Sequence, residues 1–310
     1  MTGTARAIGS RLLELAIVFV GVTFIIYAMV FSLPGDPIAA LGGDRPLPDN
    51  VVAQIRAQYH LDDPLWLQYL RYLGNLFTGD LGTTFQGASV AARMEARWPV
   101  TITLALTAWA IEVVVGVLLG LVAGLRKGSM LDRTVLVGTI LATSIPVFVV
   151  GSAAQLIFGL RLGWFPIAGT GDGWPTSYIL PAIVIALFGL AATARLTRGS
   201  VIDTMQSDFV RTLVAKGLRQ RDIVGVHVLR NSVAPVLTFL AIDLGFLLGG
   251  TVVIEAIFNL PGIGQMLFEG IRTHEGPTVV GVSTALILIF LVTSVVVDLI
   301  NSALDPRIRA

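Results

Sequence analysis

The chain has 310 residues, 55% of them hydrophobic and 13% charged, with a net charge of +1 and no cysteine. About a quarter of an average soluble domain is charged, so this composition leaves too little polar surface to cover a water-soluble globule, and a mean hydropathy of +0.82 makes lipid the solvent for much of the chain. The near-neutral balance excludes a global pull toward nucleic acid, and the absence of cysteine excludes disulfides, thiolate metal sites and a cysteine nucleophile.

A spanning helix needs roughly 20 apolar residues, because the hydrocarbon core is about 30 Å thick and an α-helix rises about 1.5 Å per residue. Six stretches qualify: 12–31, 101–125, 134–160, 178–194, 233–257 and 279–297. The first follows Arg6 and Arg11, as a signal sequence would, but it is long for a signal's apolar core and no small-x-small cleavage site follows it. It is read as a retained helix. The expected fold class is therefore an all-α polytopic membrane protein with six transmembrane helices. No internal repeat at a fixed period is present.

Orientation follows from the distribution of Lys and Arg. Of the 21 basic residues, 14 lie in the N-terminal tail, the 126–133 loop, the 195–232 segment and the C-terminal tail. Both termini and residues 195–232 are expected on the cytoplasmic side, with 34–98 outside. The resulting division is 1–33 for the tail and first span, 34–98 for an extracytoplasmic segment, and 99–310 for a core of five spans carrying the 195–232 insert.

The outer segment has its own helical pattern. Val51, Val52, Ile55 and Tyr59 recur at helical spacing, and so do Trp66, Tyr69, Leu70, Leu73 and Phe77. Between them, Pro64 suits a first helical turn with Asp62 or Asp63 as its cap. Two readings stand: amphipathic helices packed on the membrane part, or a docking surface for an external partner.

Near the centre of the 233–257 and 101–125 spans sit Asp243 and Glu112; Glu255 lies nearer a membrane surface. A charge at mid-span costs roughly 2.5–3.5 kcal/mol, so Glu112 and Asp243 are expected to face the bundle interior or a wet cavity. Either they line a translocation path, or they form a polar contact that fixes packing. Pro146, Pro181 and Pro235 are expected to interrupt the third to fifth spans, as hinges or as static shape.

The 195–232 insert carries seven basic residues. Within it Phe209, Val210, Leu213, Val214 and Gly217 fall on one helical face, with Arg211 on the other. Ser207 suits the N-cap and Gly217 the left-handed residue after the helix. A second short helix is expected from about Gln220 to Val228. Such a hairpin can rest on anionic lipid or fit a partner's groove. Its apolar face is too short to hold it on a bilayer, which favours the partner. A nucleotide cradle of the form G-x-x-x-x-G-K-[ST] is lacking, so any ATP-derived energy must enter through another subunit. His60, His227 and His274 are too scattered to suggest a metal site.

Five further motifs occur in order: "LPGDP" at 33–37, "DDPLWLQYLRYLGNLFTGDLGTTF" at 62–85, "AKGL" at 215–218 followed by "LRNSVAPV" at 229–236, "LPGIGQ" at 260–265, and "LDPRIR" at 304–309. With them the chain resembles the inner-membrane permease subunits of binding-protein-dependent ATP-binding-cassette importers, specifically the first-permease branch of the dipeptide, oligopeptide and nickel group. The resemblance covers nearly the whole chain. It implies a type I importer permease of the bacterial cytoplasmic (inner) membrane that forms half a pore with a homologous second permease. It implies cytoplasmic ATPase subunits, which use ATP and Mg, and an external substrate-binding protein. This chain needs no cofactor or metal of its own. Ser207, Phe209, Val210, Arg211, Leu213, Val214, Ala215, Lys216 and Gly217 would form the coupling helix and its turn. Relatives usually carry an Ala-Arg pair where this chain has Leu213-Val214, and a small capping residue where it has Arg219. Short peptides are the implied cargo, with nickel, glutathione, haem or oligosaccharide as alternatives. Glu112, Asp243 and Glu255 are the candidate residues of the translocation path, and an ion-coupled secondary transporter using the buried acids is the rival from another class.

Overall fold

Proline and glycine placement explains most helix boundaries in the computed structural model, which describes residues 2–32 and 48–304. The motif at 33–37 and residues 305–309 of the last motif lie outside the described residues. The first helices are α1 (Thr2–Ser32), α2 (Asp49–Gln58), α3 (Leu65–Leu76), α4 (Val90–Ile111), α5 (Val117–Leu125), α6 (Met130–Ser144) and α7 (Val147–Ala154). They are followed by α8 (Thr176–Met205), α9 (Asp208–Ala215), α10 (Gln220–Asp222), α11 (Leu229–Gly250), α12 (Val252–Ile257), α13 (Ile263–Arg272) and α14 (Gly276–Leu304). Wider π-helical turns occupy Glu112–Gly116, Gln155–Arg161 and Ile223–Val228. Among the described residues the only extended pairing is one antiparallel bridge, Thr83 to Ser89. Five helices are long and apolar enough to cross a bilayer, and a bent pair makes a sixth if counted as one span.

That bent pair falls on the stretch expected as one span at 134–160, with the expected interruption at Pro146. Helix α6 stops at Ser144, and α7 starts after Pro146 at an angle of 95° to it. Proline disfavours helical backbone at the preceding residue, and Ile145 is accordingly extended at φ −102°, ψ 128°. Pro181 and Pro235, by contrast, lie inside the continuous helices α8 and α11. They do not interrupt their spans; a missing N–H weakens a membrane helix without ending it when neighbouring helices support the turn.

Three other boundaries move. The span expected at 178–194 continues to Met205, because Arg195 and Arg198 do not end it; each finds an acceptor on α6. The short helix expected at 220–228 is the first part of a longer helical run that continues without a break into α11. That run ends at Gly250, so 251–257 forms the separate helix α12. Pro64 occupies the N-cap position itself and no side chain caps α3. Asp63 instead pairs with Arg71 at 2.6 Å and Asp62 with Arg56 at 3.4 Å.

The chain divides into two compact units, Met1–Thr101 with Pro261–Val292, and Ile102–Leu260 with Thr293–Ala310. In the first, Tyr27, Tyr69 and Val280 form a buried cluster with Tyr72 and Leu73. Its hydroxyls are all used: Tyr69 donates to the Val20 carbonyl at 2.9 Å, and Tyr72 donates to Thr284 at 2.8 Å. The Gly-Asp-Leu-Gly turn at 79–82 has both glycines left-handed, φ +80° and +93°. Asp80 accepts from the Gly82 amide at 2.8 Å. Gly281 on α14 lets this turn approach, since a Cβ there would lie 2.6 Å from the Leu81 carbonyl oxygen.

In the second unit α8 is the central element, with 14 buried residues among its 30. Gly116, Gly120 and Gly124 recur every fourth residue and face it. A Cβ at Gly120 would sit 2.5 Å from the Ala194 carbonyl oxygen, and one at Gly124 would sit 2.9 Å from Val201. Small residues at this spacing let membrane helices approach backbone to backbone, where dispersion and helix–helix packing replace the hydrophobic effect.

Candidate functional site

Helix α9 is the apex of the basic insert. Its backbone places Ser207 at the N-cap (φ −70°, ψ 154°), but the side chain does not cap. Its Oγ donates back to the Thr204 carbonyl at 2.5 Å instead. The first-turn carboxylate of Asp208 suits the positive end of the helix dipole and pairs with Arg211 at 3.1 Å. At the other end Gly217 has φ +79°. The Gly217 amide donates to the Val214 carbonyl at 2.9 Å and the Leu218 amide to the Leu213 carbonyl at 3.3 Å. These are the two bonds of a Schellman termination, which requires a left-handed residue where Gly217 stands.

The apolar residues of α9 do not share one face. Val210 is 3% exposed and packs with Val201, Ile223 and Val228, and Leu213 packs against the same cluster. These two are the foot of the helix on its own chain. Phe209 and Val214 point away, 41% and 56% exposed, and Leu218 joins them. Arg211, Ala215, Lys216, Gly217, Arg219 and Arg221 are exposed around them. The outer surface is thus a small apolar patch ringed by cations. Below it, Ser200 donates to the Ser232 carbonyl at 2.9 Å, and Ser232 donates to Thr204 at 3.1 Å. These bonds stitch α8 to α11 at the base of the insert.

One pair on this side escaped the sequence reading. Asp132 is 2% exposed, and Arg198 donates to its two oxygens at 2.5 and 2.9 Å. The Gly128 amide adds a third bond at 2.8 Å, and Ser129 caps α6 by accepting from the Asp132 amide at 3.2 Å. The Ser-x-x-Asp spacing at 129–132 is a capping signature that could have flagged the acid. Nothing local could have named Arg198, which lies on another helix.

The three acids separate into a pair and a single. Glu112 begins the first π-helical turn and is fully buried. Its carboxyl lies over Gly189 of α8, where any Cβ would collide with it. Asp243 of α11 lines the same cavity, of about 280 Å³, and the two carboxyls are within electrostatic reach. Among the described residues no donor from elsewhere meets either Glu112 oxygen or Oδ2 of Asp243, and the two carboxyls stand close enough to share a hydrogen bond with each other. Glu255 does not line this cavity. It is fully buried in α12. Its Oε1 accepts from Thr251 at 2.8 Å.

Helix α3 divides in the same manner as α9. Tyr69, Tyr72 and Leu73 pack inward, whereas Trp66, Leu70 and Phe77 are exposed, Phe77 by 87%.

Comparison with known proteins bears on all three regions. Residues 116–310 match the family described as "Binding-protein-dependent transport system inner membrane component". Residues 5–105 match the corresponding N-terminal family of such membrane components. A putative peptide transport system permease protein of Brucella abortus is 37% identical over 295 residues, covering 93% of this chain and 94% of that protein. The oligopeptide transport system permease protein OppB of Haemophilus influenzae is 35% identical over 98% of this chain and 99% of its own. The di/tripeptide transport system permease protein DppB of Pseudomonas aeruginosa is 34% identical over 97% and 98%. With its apolar helices and these matches along nearly its whole length, the chain belongs to the binding-protein-dependent transport system inner membrane components, the type I permeases of ATP-binding-cassette importers.

Proposed function

We propose that this permease imports short peptides across the bacterial cytoplasmic membrane, driven by ATPase subunits seated on α9 and supplied by a binding protein that docks on the outer helices α2 and α3. The peptide assignment is supported by the similarity to relatives named for peptide, oligopeptide and di/tripeptide transport. The ATPase seat is supported by the division of α9: Val210 fixes the helix to its own chain, while Phe209, Val214 and Leu218 stay open within a cationic rim. A partner cleft with an apolar floor and acidic edges complements that surface.

The chain's own contacts give a route for the stroke. Closure of the paired ATPases on ATP would displace α9. Its Val210 foot and the Ser200–Ser232–Thr204 bonds would carry the displacement into α8 and α11. Those helices carry Gly189 and Asp243 at the cavity that Glu112 also lines. Release of peptide from the outer binding protein would follow opening outward, and hydrolysis would reset the pore inward.

The test is Val214→Asp, which places a charge on the open face without touching the foot. The ATPase subunits should no longer co-purify with the permease and ATP-driven peptide uptake should be lost, while the melting temperature of the isolated subunit stays put. Retention of both the ATPase and uptake would remove α9 as the seat.

A further inference from the structure

The Glu112–Asp243 cavity is built for a ligand that the transport cycle described above does not yet use. Glu112 is fully buried, and apart from each other's carboxyl neither its oxygens nor Oδ2 of Asp243 meet a donor among the described residues. No Lys, Arg or His lines the cavity. Two features specific to this position keep the acid there. The π-helical turn that starts at Glu112 shifts its register within the α4–α5 run, and such bulges gather at functional sites. Gly189 supplies the bare backbone over which the carboxyl lies.

The remaining lining distinguishes among cations. Calcium or magnesium wants six or more oxygen ligands and zinc wants His or Cys donors, and apart from the two carboxyls the lining side chains are hydrocarbon, including Phe188 and Phe246. Carboxylates that share a cavity with aromatic side chains suit an alkylammonium group, which can gain ion pairing and cation–π attraction together. The cavity is also open at one side, since Val253 and Phe246 on its lining are exposed.

We propose that Glu112 and Asp243 receive the amino group of the transported cargo as it passes through this subunit. The proposal rests on the peptide-importer reading above, because a free amino terminus is the cation that every short unblocked peptide carries.

The chain has no cysteine, so Val253→Cys introduces a single reporter thiol on the cavity. In the assembled importer, with partner subunits free of reactive cysteine, its modification rate by 2-aminoethyl methanethiosulfonate is compared with that by the anionic 2-sulfonatoethyl reagent. A cleft of one charge sign raises counter-ion encounter by about tenfold or more, so the cationic reagent should win by that order. Glu112→Gln with Asp243→Asn should abolish the preference. A free-amino dipeptide delivered by the binding protein during ATP-driven turnover should slow the cationic reaction. Equal preference with and without the two acids overturns the proposal, and so does a preference that the dipeptide leaves untouched. Phe246→Cys gives the same measurement if Val253→Cys fails to assemble. Dipeptide uptake by the cysteine-free importer is measured alongside. Uptake without protection defeats the amino-group site alone, whereas absence of uptake defeats the peptide reading itself.

Discussion

Gly217 is a single residue on which the termination of α9, and with it the proposed ATPase seat, depends. Its φ of +79° is open to glycine and tolerable for asparagine, but costs other L-residues roughly 1–2 kcal/mol. Nothing lies within 4 Å of a Cβ built there, so the penalty is backbone strain and not collision. Gly217→Asn should therefore keep peptide uptake per ATP hydrolysed close to wild type, while Gly217→Val should lower it by loosening the end of α9. Asp132 is the second such residue. Asp132→Asn leaves Arg198 without its counter-charge in a largely buried position, which should destabilise the subunit by on the order of 3 kcal/mol, the low end for an orphaned buried ion. Adding Arg198→Met should recover most of that loss in a thermal melt, because removal of both charges leaves nothing unpaired. A double mutant no more stable than Asp132→Asn would show that the acid acts through Gly128 and not through Arg198.

At the scale of elements, glycines on neighbouring helices have opposite meanings. Gly120 on α5 abuts the α8 backbone, so Gly120→Val must push two central helices apart; overpacking of this kind costs roughly 1–3 kcal/mol. Gly138 on α6 has open space where a Cβ would go. Gly138→Ala should be neutral or stabilising by about 1 kcal/mol, from helix propensity. Paired melts of the two variants check whether the α5–α8 contact or glycine content sets stability. The same distinction separates prolines: Pro146 ends α6 and bends the chain by 95°, while Pro181 and Pro235 are absorbed within α8 and α11. Sequence position alone does not separate these cases, since each proline lies in an equally apolar stretch.

For the molecule as a whole, orientation is the property that everything else presupposes. On the positive-inside rule, the excess of Lys and Arg in 195–232 predicts α9 inside and α3 outside. In a chain without native cysteine, Phe77→Cys should react with a membrane-impermeant maleimide added to intact cells, and Val214→Cys only in inverted vesicles. The reverse pattern would turn the protein over and separate α9 from any cytoplasmic ATPase. Apolar length, basic asymmetry and glycine placement are local quantities. They made the helical membrane class and the short glycine-terminated helix at 208–215 legible from the amino-acid sequence, and they carry the expected sidedness. Which face of α9 is the foot was not legible, because Phe209, Val210, Leu213 and Val214 are equally apolar. Only the neighbouring Val201, Ile223 and Val228 decide that Val210 is covered and Val214 is not. Likewise the sequence shows two acids in different spans, 131 positions apart, each costly in lipid. That they meet in one cavity over Gly189, while Glu255 goes elsewhere to Thr251, is decided by how α8 and α11 pack. Burial and pairing depend on residues distant in sequence, so they exist only once the helices have assembled.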